Sequence, residues 1–220
     1  MDQNETTMGG GPGAFGTTRW TFLRERDHAE ILRLYWRPVY LHLRRRGFAI
    51  EEAKDLTQDF FRKFMERDFA AQADRSRGRF RDFLRAAVDH FSSDARDRAR
   101  AQKRGGDRAF IPDYEAAEPL LSTDDTPEQL FDRQWARSIL EDALRQLGEE
   151  YAARGQKAEF EALEPFLAEG TVEDRVALHR ARKRFGHLVR ERIALTVESP
   201  AQVDEEMTDL FVALQRGAPK

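Results

Sequence analysis

Apolar side chains recur at intervals of three or four residues along most of this chain. That interval matches the 3.6 residues of an α-helical turn, so each run places its apolar side chains on one face of a helix. For example, Leu56, Phe60 and Phe64 share one face, and Asp55 and Asp59 lie along another. β-branched residues are sparse, and the charged residues, 35% of the chain, are interleaved with Ala and Leu. We therefore predict an all-α protein.

Local capping signals predict where the helices begin and end. Asp27 followed by Glu30 is a capping-box spacing for the first helix, and Gly47 suits its end. Ser199 and Pro200 form a favoured cap and first-turn pair for the last helix. The first three predicted helices are at about 27–46, with a kink at Pro38, at 51–67 and at 79–103. A fourth contains Trp135 to Tyr151, and a shorter fifth ends at Gly170. The sixth is capped by Thr171 and Asp174 and is predicted to bury Val176, Phe185, Val189 and Ile193, and the seventh begins at Ser199.

The distribution of Gly and Pro predicts the domain organisation. The glycine-rich residues 1–16 are predicted to form a disordered leader. A stretch punctuated by glycine and proline predicts a linker at 106–126, between a domain at 17–105 and a second at 127–220. A chain of 220 residues can bury one sizeable core or two small ones. We predict two small helical domains joined by this linker.

The net charge of −3 conceals a separation of charge along the chain. Residues 75–104 contain ten basic residues and four acids, and HRARKRF forms a second basic run at 179–185. Residues 111–130 contain six acids and no Lys or Arg. Two basic segments joined by an acidic connector predict a protein that binds a polyanion at two places.

The predicted helix at 79–103 carries most of the first basic segment. Winding it at 100° per residue predicts one outward face that contains Arg81, Arg85, Ser92, Arg96, Arg100 and Lys103. The alternative interpretation is a solvated helix with scattered ion pairs. The continuity of the basic face and its few acids favour nucleic-acid binding over that alternative.

Composition and motifs argue against several classes of protein. The chain has no cysteine, which excludes disulfides and thiolate metal sites. The amino terminus lacks the apolar run of a secretory signal and no stretch has the length of a membrane span, so we expect a cytoplasmic protein.

A metal-dependent enzyme is the alternative from another class. His90 and Asp94 stand four residues apart, and Asp55 or Asp59 could complete a site with them. The chain lacks an H-E-x-x-H motif, a phosphate-cradling glycine loop and a nucleophile elbow. We expect no enzymatic activity, no cofactor and no metal.

Three motifs stand in order along the chain: LYWRPVYLHLRRRGFAIEEAKDLTQDFFRKFMER at 34–67, the basic helix after FRDFL at 80–84, and HRARKRF at 179–185. Together they resemble the two conserved domains of extracytoplasmic-function (ECF) sigma factors of the sigma-70 type, the promoter-recognition subunits of bacterial RNA polymerase. The first motif contains the family's A-x-D-L-x-Q-x-x-F pattern, and the resemblance spans about 18–185. It implies a sigma factor that binds core polymerase and recognises and melts the minus-ten element.

The resemblance also implies roles for particular residues. The helix at 51–65 would dock on the clamp helices of the largest polymerase subunit through Asp55, Leu56, Gln58, Asp59, Phe61 and Arg62, with Phe61 at the rim. Promoter melting and minus-ten binding would involve Arg81, Arg85, His90, Arg96, Arg98, Arg100, Lys103 and Arg104. Phe83 and His90 stand where the family usually has Trp and Asn, and Asp94 stands where it keeps an acid.

The carboxyl-terminal half resembles the family's helix-turn-helix reader of upstream DNA, in a shortened form. DNA contact there would come from His179, Arg180, Arg182, Lys183 and Arg184. In the family, roughly one further helix separates the segment that resembles EALEPFLAEG (161–170) from the recognition helix. Here only TVEDR (171–175) lies between that segment and the helix that contains HRARKRF. The alternative function is therefore a sigma-like regulatory module that binds polymerase or DNA without directing initiation. An anti-sigma regulator is a further partner that the family implies.

Overall fold

The computed structural model describes residues 28–66, 79–101, 124–197 and 199–215, and within these ranges all regular secondary structure is helical. Seven α-helices lie in the described residues: α1 His28–Arg45, α2 Ile50–Glu66, α3 Phe80–Ala101, α4 Pro127–Ala153, α5 Lys157–Leu163, α6 Arg175–Ala194 and α7 Pro200–Gln215, with a 3₁₀ turn at Glu164–Phe166 after α5. The predicted all-α class is confirmed. The predicted leader 1–16 and residues 106–123 of the predicted linker lie outside the described residues.

Most helix ends follow the capping signals. Gly47, at φ 93°, adopts the left-handed conformation after the end of α1. Pro38 lies within α1, which continues through it without interruption from His28 to Arg45. At the start of α4, the Thr126 hydroxyl accepts a hydrogen bond from the Gln129 backbone N–H and the Gln129 side chain accepts one from the Thr126 N–H, which is a capping box. The Ser199 hydroxyl accepts from the Gln202 N–H at 3.3 Å in the first turn of α7.

Helix α6 begins later than the Thr171 signal predicted. Its cap is Asp174, whose carboxylate accepts hydrogen bonds from the backbone N–H groups of Val176 at 3.1 Å and Ala177 at 2.8 Å. Val176 lies in this first turn and is 60% exposed, so its predicted burial is wrong. Val189 and Ile193, further along the helix, are buried as predicted.

Helix α4 lies at the centre of the molecule. Its contact with α1 is more extensive than the contact between any other two described helices, and α6 and α7 also pack against it. Trp135, Phe131 and Ile139 of α4 are fully buried, as are Tyr35 and Leu43 of α1. Helices from both sides of the predicted linker therefore contribute to one hydrophobic core, and a division into two domains is not confirmed.

An aromatic layer joins α1, α2 and α3. Trp36 of α1 stacks on Phe61 of α2 with ring centroids 5.6 Å apart, and Phe60 meets Phe91 of α3 edge-to-face at the same separation. Tyr35 contacts Phe80 edge-to-face at 5.2 Å. This layer fixes one face of α2 and α3 and determines which of their charged side chains face outward.

Candidate interaction surfaces

The first candidate surface is the charged face of α2. Asp55 is exposed, and the side chains of Asp59 and Arg62 are 48% and 56% exposed and form an ion pair at 3.0 Å. Gln58 and Leu56 are half-buried beside them. The exposed Glu51 and Glu52 extend the acidic character of this face toward the first turn of the helix.

Phe61 does not belong to that surface. The sequence placed it at the rim of the docking face, but its side chain is 2% exposed and is enclosed by Trp36 and Phe60. The rim placement is therefore wrong. Phe61 positions the exposed residues of α2 by anchoring the helix to α1.

Arg81 also lies elsewhere than the sequence predicted. Only 3% of it is exposed, and its guanidinium lies over the ring of Trp135, 4.4 Å from the centroid. Ser92, from the same predicted outward face, is 1% exposed and donates a hydrogen bond to the Asp89 carbonyl. The outward placement is wrong for both residues, because each borders the apolar stripe of α3 and is covered by neighbouring helices.

Arg81 is the centre of an ionic cluster between α3, α4 and α7, in which Arg81 and Glu206 are buried and the other members are partly exposed. Its guanidinium donates to Asp132 of α4 at 2.6 Å and to Asp209 of α7 at 2.8 Å, and it pairs with Glu206 of α7 at 3.1 Å. We call this set the Arg81 cluster; its remaining members are Arg79, Asp82 and Arg85. Arg79 pairs with Asp209 at 2.7 Å, and the cluster thus connects α3 to α7 through side chains.

The cluster changes the acid–base properties of its members. Burial alone would lower the pKa of Arg81, but the carboxylates of Asp132 and Glu206 outweigh it and raise that pKa above its ordinary value. Burial raises the pKa of Glu206, and the attraction of Arg81 and Arg79 does not fully offset it. Burial therefore disfavours the ionised form of Glu206 by more than the arginines favour it.

Two of the predicted DNA contacts of α3, at and beyond residue 90, do face outward. His90 and Arg96 are exposed, and the Arg96 guanidinium lies over the Phe48 ring at 5.0 Å from the centroid and donates to the Arg46 carbonyl. Arg85 is half-buried and pairs with Asp132 at 3.0 Å. The predicted contacts Arg98 and Arg100 (side chains), Lys103 and Arg104 lie outside the described residues.

The basic run of α6 divides into two groups. Arg182 donates to the carbonyls of Phe166 and Gly170, at 2.7 and 2.9 Å, and so ties the loop before α6 to the helix. Arg184 donates to both carboxylate oxygens of Glu150 at 2.6 and 2.9 Å, which holds the pKa of that acid below its usual range. The predicted upstream contacts that face solvent are His179, Arg180 and Lys183.

In a second ionic cluster the central residue is a buried acid and its partners are arginines. The Asp142 side chain of α4, 1% exposed, accepts from Arg145 and pairs with Arg33 of α1, both at 2.7 Å, and accepts from Arg192 of α6. Burial would raise the pKa of Asp142, but the hydrogen bonds from Arg145 and Arg192 outweigh it and hold that pKa below its ordinary value. This Asp142 cluster ties α1, α4 and α6 together.

Sequence reasoning missed the acids that surround Arg81. One signal was available, because Glu206 stands within the apolar stripe of α7, three residues after Val203 and four before Leu210. A charged residue at such a core position predicts a buried partner of opposite charge. His42 was also missed; it is fully buried, and its ring nitrogens lie 2.8 Å from Asp89 and 3.1 Å from the Pro127 carbonyl.

No described helix combines the length and the hydropathy that crossing a membrane requires. Within the ranges that the structure describes, no three His, Asp or Glu side chains are grouped so that they could hold a metal ion.

Comparison with known proteins identifies no relative of this chain: no protein-family model, no curated protein and no solved structure matches it.

Proposed function

We propose that this chain is a sigma-type initiation factor, similar to the ECF group, that binds core RNA polymerase through α2 and directs transcription by recognising and melting a minus-ten element. The observation that carries the proposal is the acidic face of α2, on which Asp55 is exposed and the Asp59 side chain is 48% exposed. A factor of this kind works in the cytoplasm and requires no cofactor or catalytic residue, since the polymerase performs the chemistry.

The construction of α2 suits a docking helix. Its aromatic face is fixed against α1 and α3, so the opposite face is presented with little loss of conformational entropy on binding. Its exposed carboxylates would attract a basic partner surface at long range and orient the encounter. The intramolecular pair between Asp59 and Arg62 is exposed and can exchange partners at small cost.

The DNA-binding part of the proposal rests on the second half of α3. His90 and Arg96 are exposed there, and the basic residues at 98–104 continue the same segment. Cationic side chains in such a segment neutralise phosphates, and the released counterions make binding strongly dependent on salt. Single-strand capture would also use aromatic or histidine side chains as stacking surfaces.

One observation favours the second candidate function, a sigma-like regulator that binds polymerase without directing initiation. Arg81 is buried and Arg85 is paired with Asp132, so neither is available to a phosphate in this conformation. A protein locked in this conformation would lack two of the eight residues that were predicted to melt and bind the minus-ten element.

Run-off transcription with core polymerase on a pool of genomic promoter fragments tests the proposal. The wild-type protein should produce discrete transcripts, and Asp55→Lys with Asp59→Lys should abolish them and weaken polymerase binding in a pull-down. The control is Glu169→Lys with Glu173→Lys, which makes the same charge change at two exposed acids before α6 and should leave transcription unchanged. Polymerase binding without transcripts would favour the regulator, and no binding at all would overturn both functions.

A further inference from the structure

Helix α7 supplies two of the four carboxylates in the Arg81 cluster. Glu206 and Asp209 stand three residues apart and so lie on one face of α7, from which they reach Arg81 at 3.1 and 2.8 Å. Arg79 contacts the same two acids. The amino-terminal end of α3 is thus held by the last described helix of the chain, more than 100 residues away in sequence.

The apolar attachment of α7 is one-sided. Val203, Leu210 and Ala213 are buried against α4 and α6, and Met207 and Leu214 are partly buried beside them, whereas Phe211 and Val212 are 56% and 40% exposed. The contact of α7 with α4 is smaller than the contact between α1 and α4, which detachment of α7 would leave in place. The structure therefore contains a terminal helix that can separate while the central pair of helices stays together.

We infer that α7 is an autoinhibitory strap, whose Glu206 and Asp209 occupy Arg79 and Arg81 at the amino-terminal end of α3 and withhold them from the phosphates of DNA. The inference rests on the proposed function, since it takes α3 to be a DNA-binding helix. It assigns to α7 a regulatory role on that helix.

The charge balance of the cluster explains why DNA phosphate would compete with the strap. With α7 in place, Arg79, Arg81 and Arg85 face four carboxylates. Without the two acids of α7, the arginines would outnumber the remaining carboxylates, Asp82 and Asp132, and α3 would gain a net positive site. Guanidinium groups bind phosphate and carboxylate in the same geometry, so a nucleic acid strand can take the place of the acids.

The burial of Glu206 also weakens the contact between α7 and α3. Burial raises the pKa of Glu206 because removing the carboxylate from water disfavours its ionised form, and this opposes the attraction to Arg81. An exchange of this buried pair for a solvated phosphate contact is correspondingly easier. Opening would move Arg81 from 3% exposure to the surface of α3.

Fluorescence anisotropy with a labelled single-stranded oligonucleotide tests the strap directly, because it involves no polymerase. Glu206→Gln with Asp209→Asn should raise the affinity about tenfold at 0.1 M salt and steepen its salt dependence by about 1.4 units, because Arg79 and Arg81 each regain a phosphate contact and each contact on a single strand contributes about 0.7. The matched control is Asp204→Asn with Glu205→Gln, which removes the same charge from exposed positions of α7. Equal affinities for the two double variants would overturn the inference.

A second pair of variants changes no charge. Leu210→Ala removes a buried contact of α7 and should also raise the affinity for the oligonucleotide, whereas Phe211→Ala removes an exposed side chain and should not. This pair decides the question if circular dichroism shows that the first double variant is unfolded, and equal affinities within it would count against the strap. If the α7 variants bind the oligonucleotide more tightly but no transcription is observed, the proposed function alone is contradicted. If transcription is observed but the affinity for the oligonucleotide is unchanged, the strap alone is contradicted.

Discussion

Helices α2 and α3 each carry a charged stripe beside an aromatic face, and the two stripes differ in what lies over them. In α2 the stripe faces solvent, with Asp55 exposed and Arg62 56% exposed at its side chain. In α3 the first part of the stripe is covered by α4 and α7, so Arg81 is 3% exposed and Arg85 is half-buried. Similar local patterns thus produce one surface available to a partner and one that is occupied within the molecule.

The difference shows that the charged residues of a helix indicate a binding surface only where they are not already paired with other residues of the same molecule. The α3 segment has an excess of basic residues, yet its Arg81, Arg79 and Arg85 are paired with acids on three helices. The α2 acids have the solvated, mutually compensating contacts that are typical of a surface. Substitutions at the two stripes should therefore differ sharply in their effect on stability.

The largest effect is expected from Arg81→Ala. It would remove the buried cation that pairs with Asp132, Glu206 and Asp209 and leave the buried Glu206 with Arg79 alone, which costs about 3 kcal/mol of unfolding free energy. Arg85→Ala, at a half-buried position of the same helix, should cost about 1 kcal/mol. Urea unfolding followed by circular dichroism measures both, and equal losses would contradict the burial of Arg81.

The second prediction concerns the Asp142 cluster and its pH dependence. Asp142→Asn should lower the unfolding free energy by about 2 kcal/mol at pH 7, because three arginines lose a charged acceptor. The pKa of Asp142 is lowered in the folded protein, so its ionised form stabilises the fold above the unfolded pKa of about 3.9 and that contribution is lost as pH falls through the folded value.

The gap between wild type and Asp142→Asn should therefore close as the pH is lowered from 5 toward 2. Unfolding curves at several pH values measure it. The control is Asp59→Asn in α2, where the carboxylate is 48% exposed and its pair with Arg62 contributes little, so no comparable gap is expected at any pH. A constant gap for Asp142→Asn across this range would contradict the role assigned to its charge.

The positions of the helices and the exposure of Asp55 were the features that the sequence predicted best. Helix positions depend on local spacing and caps, which the sequence displays directly, as at Gly47 and Ser199. The exposure of Asp55 follows from the aromatic stripe on the other side of the same helix. Both predictions use only residues that are neighbours in sequence.

The Arg81 cluster was not predicted because its partners are distant in sequence. Asp132 lies 51 residues from Arg81 and Glu206 lies 125 residues away. A helical projection places Arg81 about 60° from Leu84, at the border of the apolar stripe, and it contains no information on whether a neighbouring helix covers that border. The packing of α4 on α1 was missed for the same reason, since the intervening segment read as a linker between separate domains.

A smaller effect is expected in α6. Arg182→Ala would remove hydrogen bonds to the carbonyls of Phe166, Leu167 and Gly170, and should cost about 1 to 2 kcal/mol. Lys183→Ala, at the next residue, is exposed and should change stability by less than about 0.5 kcal/mol. Thermal unfolding of the two variants compares them, and a larger loss for Lys183→Ala would mean that the structural and solvent-facing groups of α6 are assigned the wrong way round.

The smallest effect on stability is expected at the α2 surface. Reversing Asp55 and Asp59 to lysine removes one exposed ion pair and places two cations beside Arg62, which should change the unfolding free energy by less than about 1 kcal/mol. The same variant should lose its affinity for core polymerase, since the reversed charges repel a basic partner. Urea unfolding and a binding titration on one preparation separate the two properties. A loss of several kcal/mol would place these acids in a buried network like that of Arg81, and the contrast between the two helices would then no longer hold.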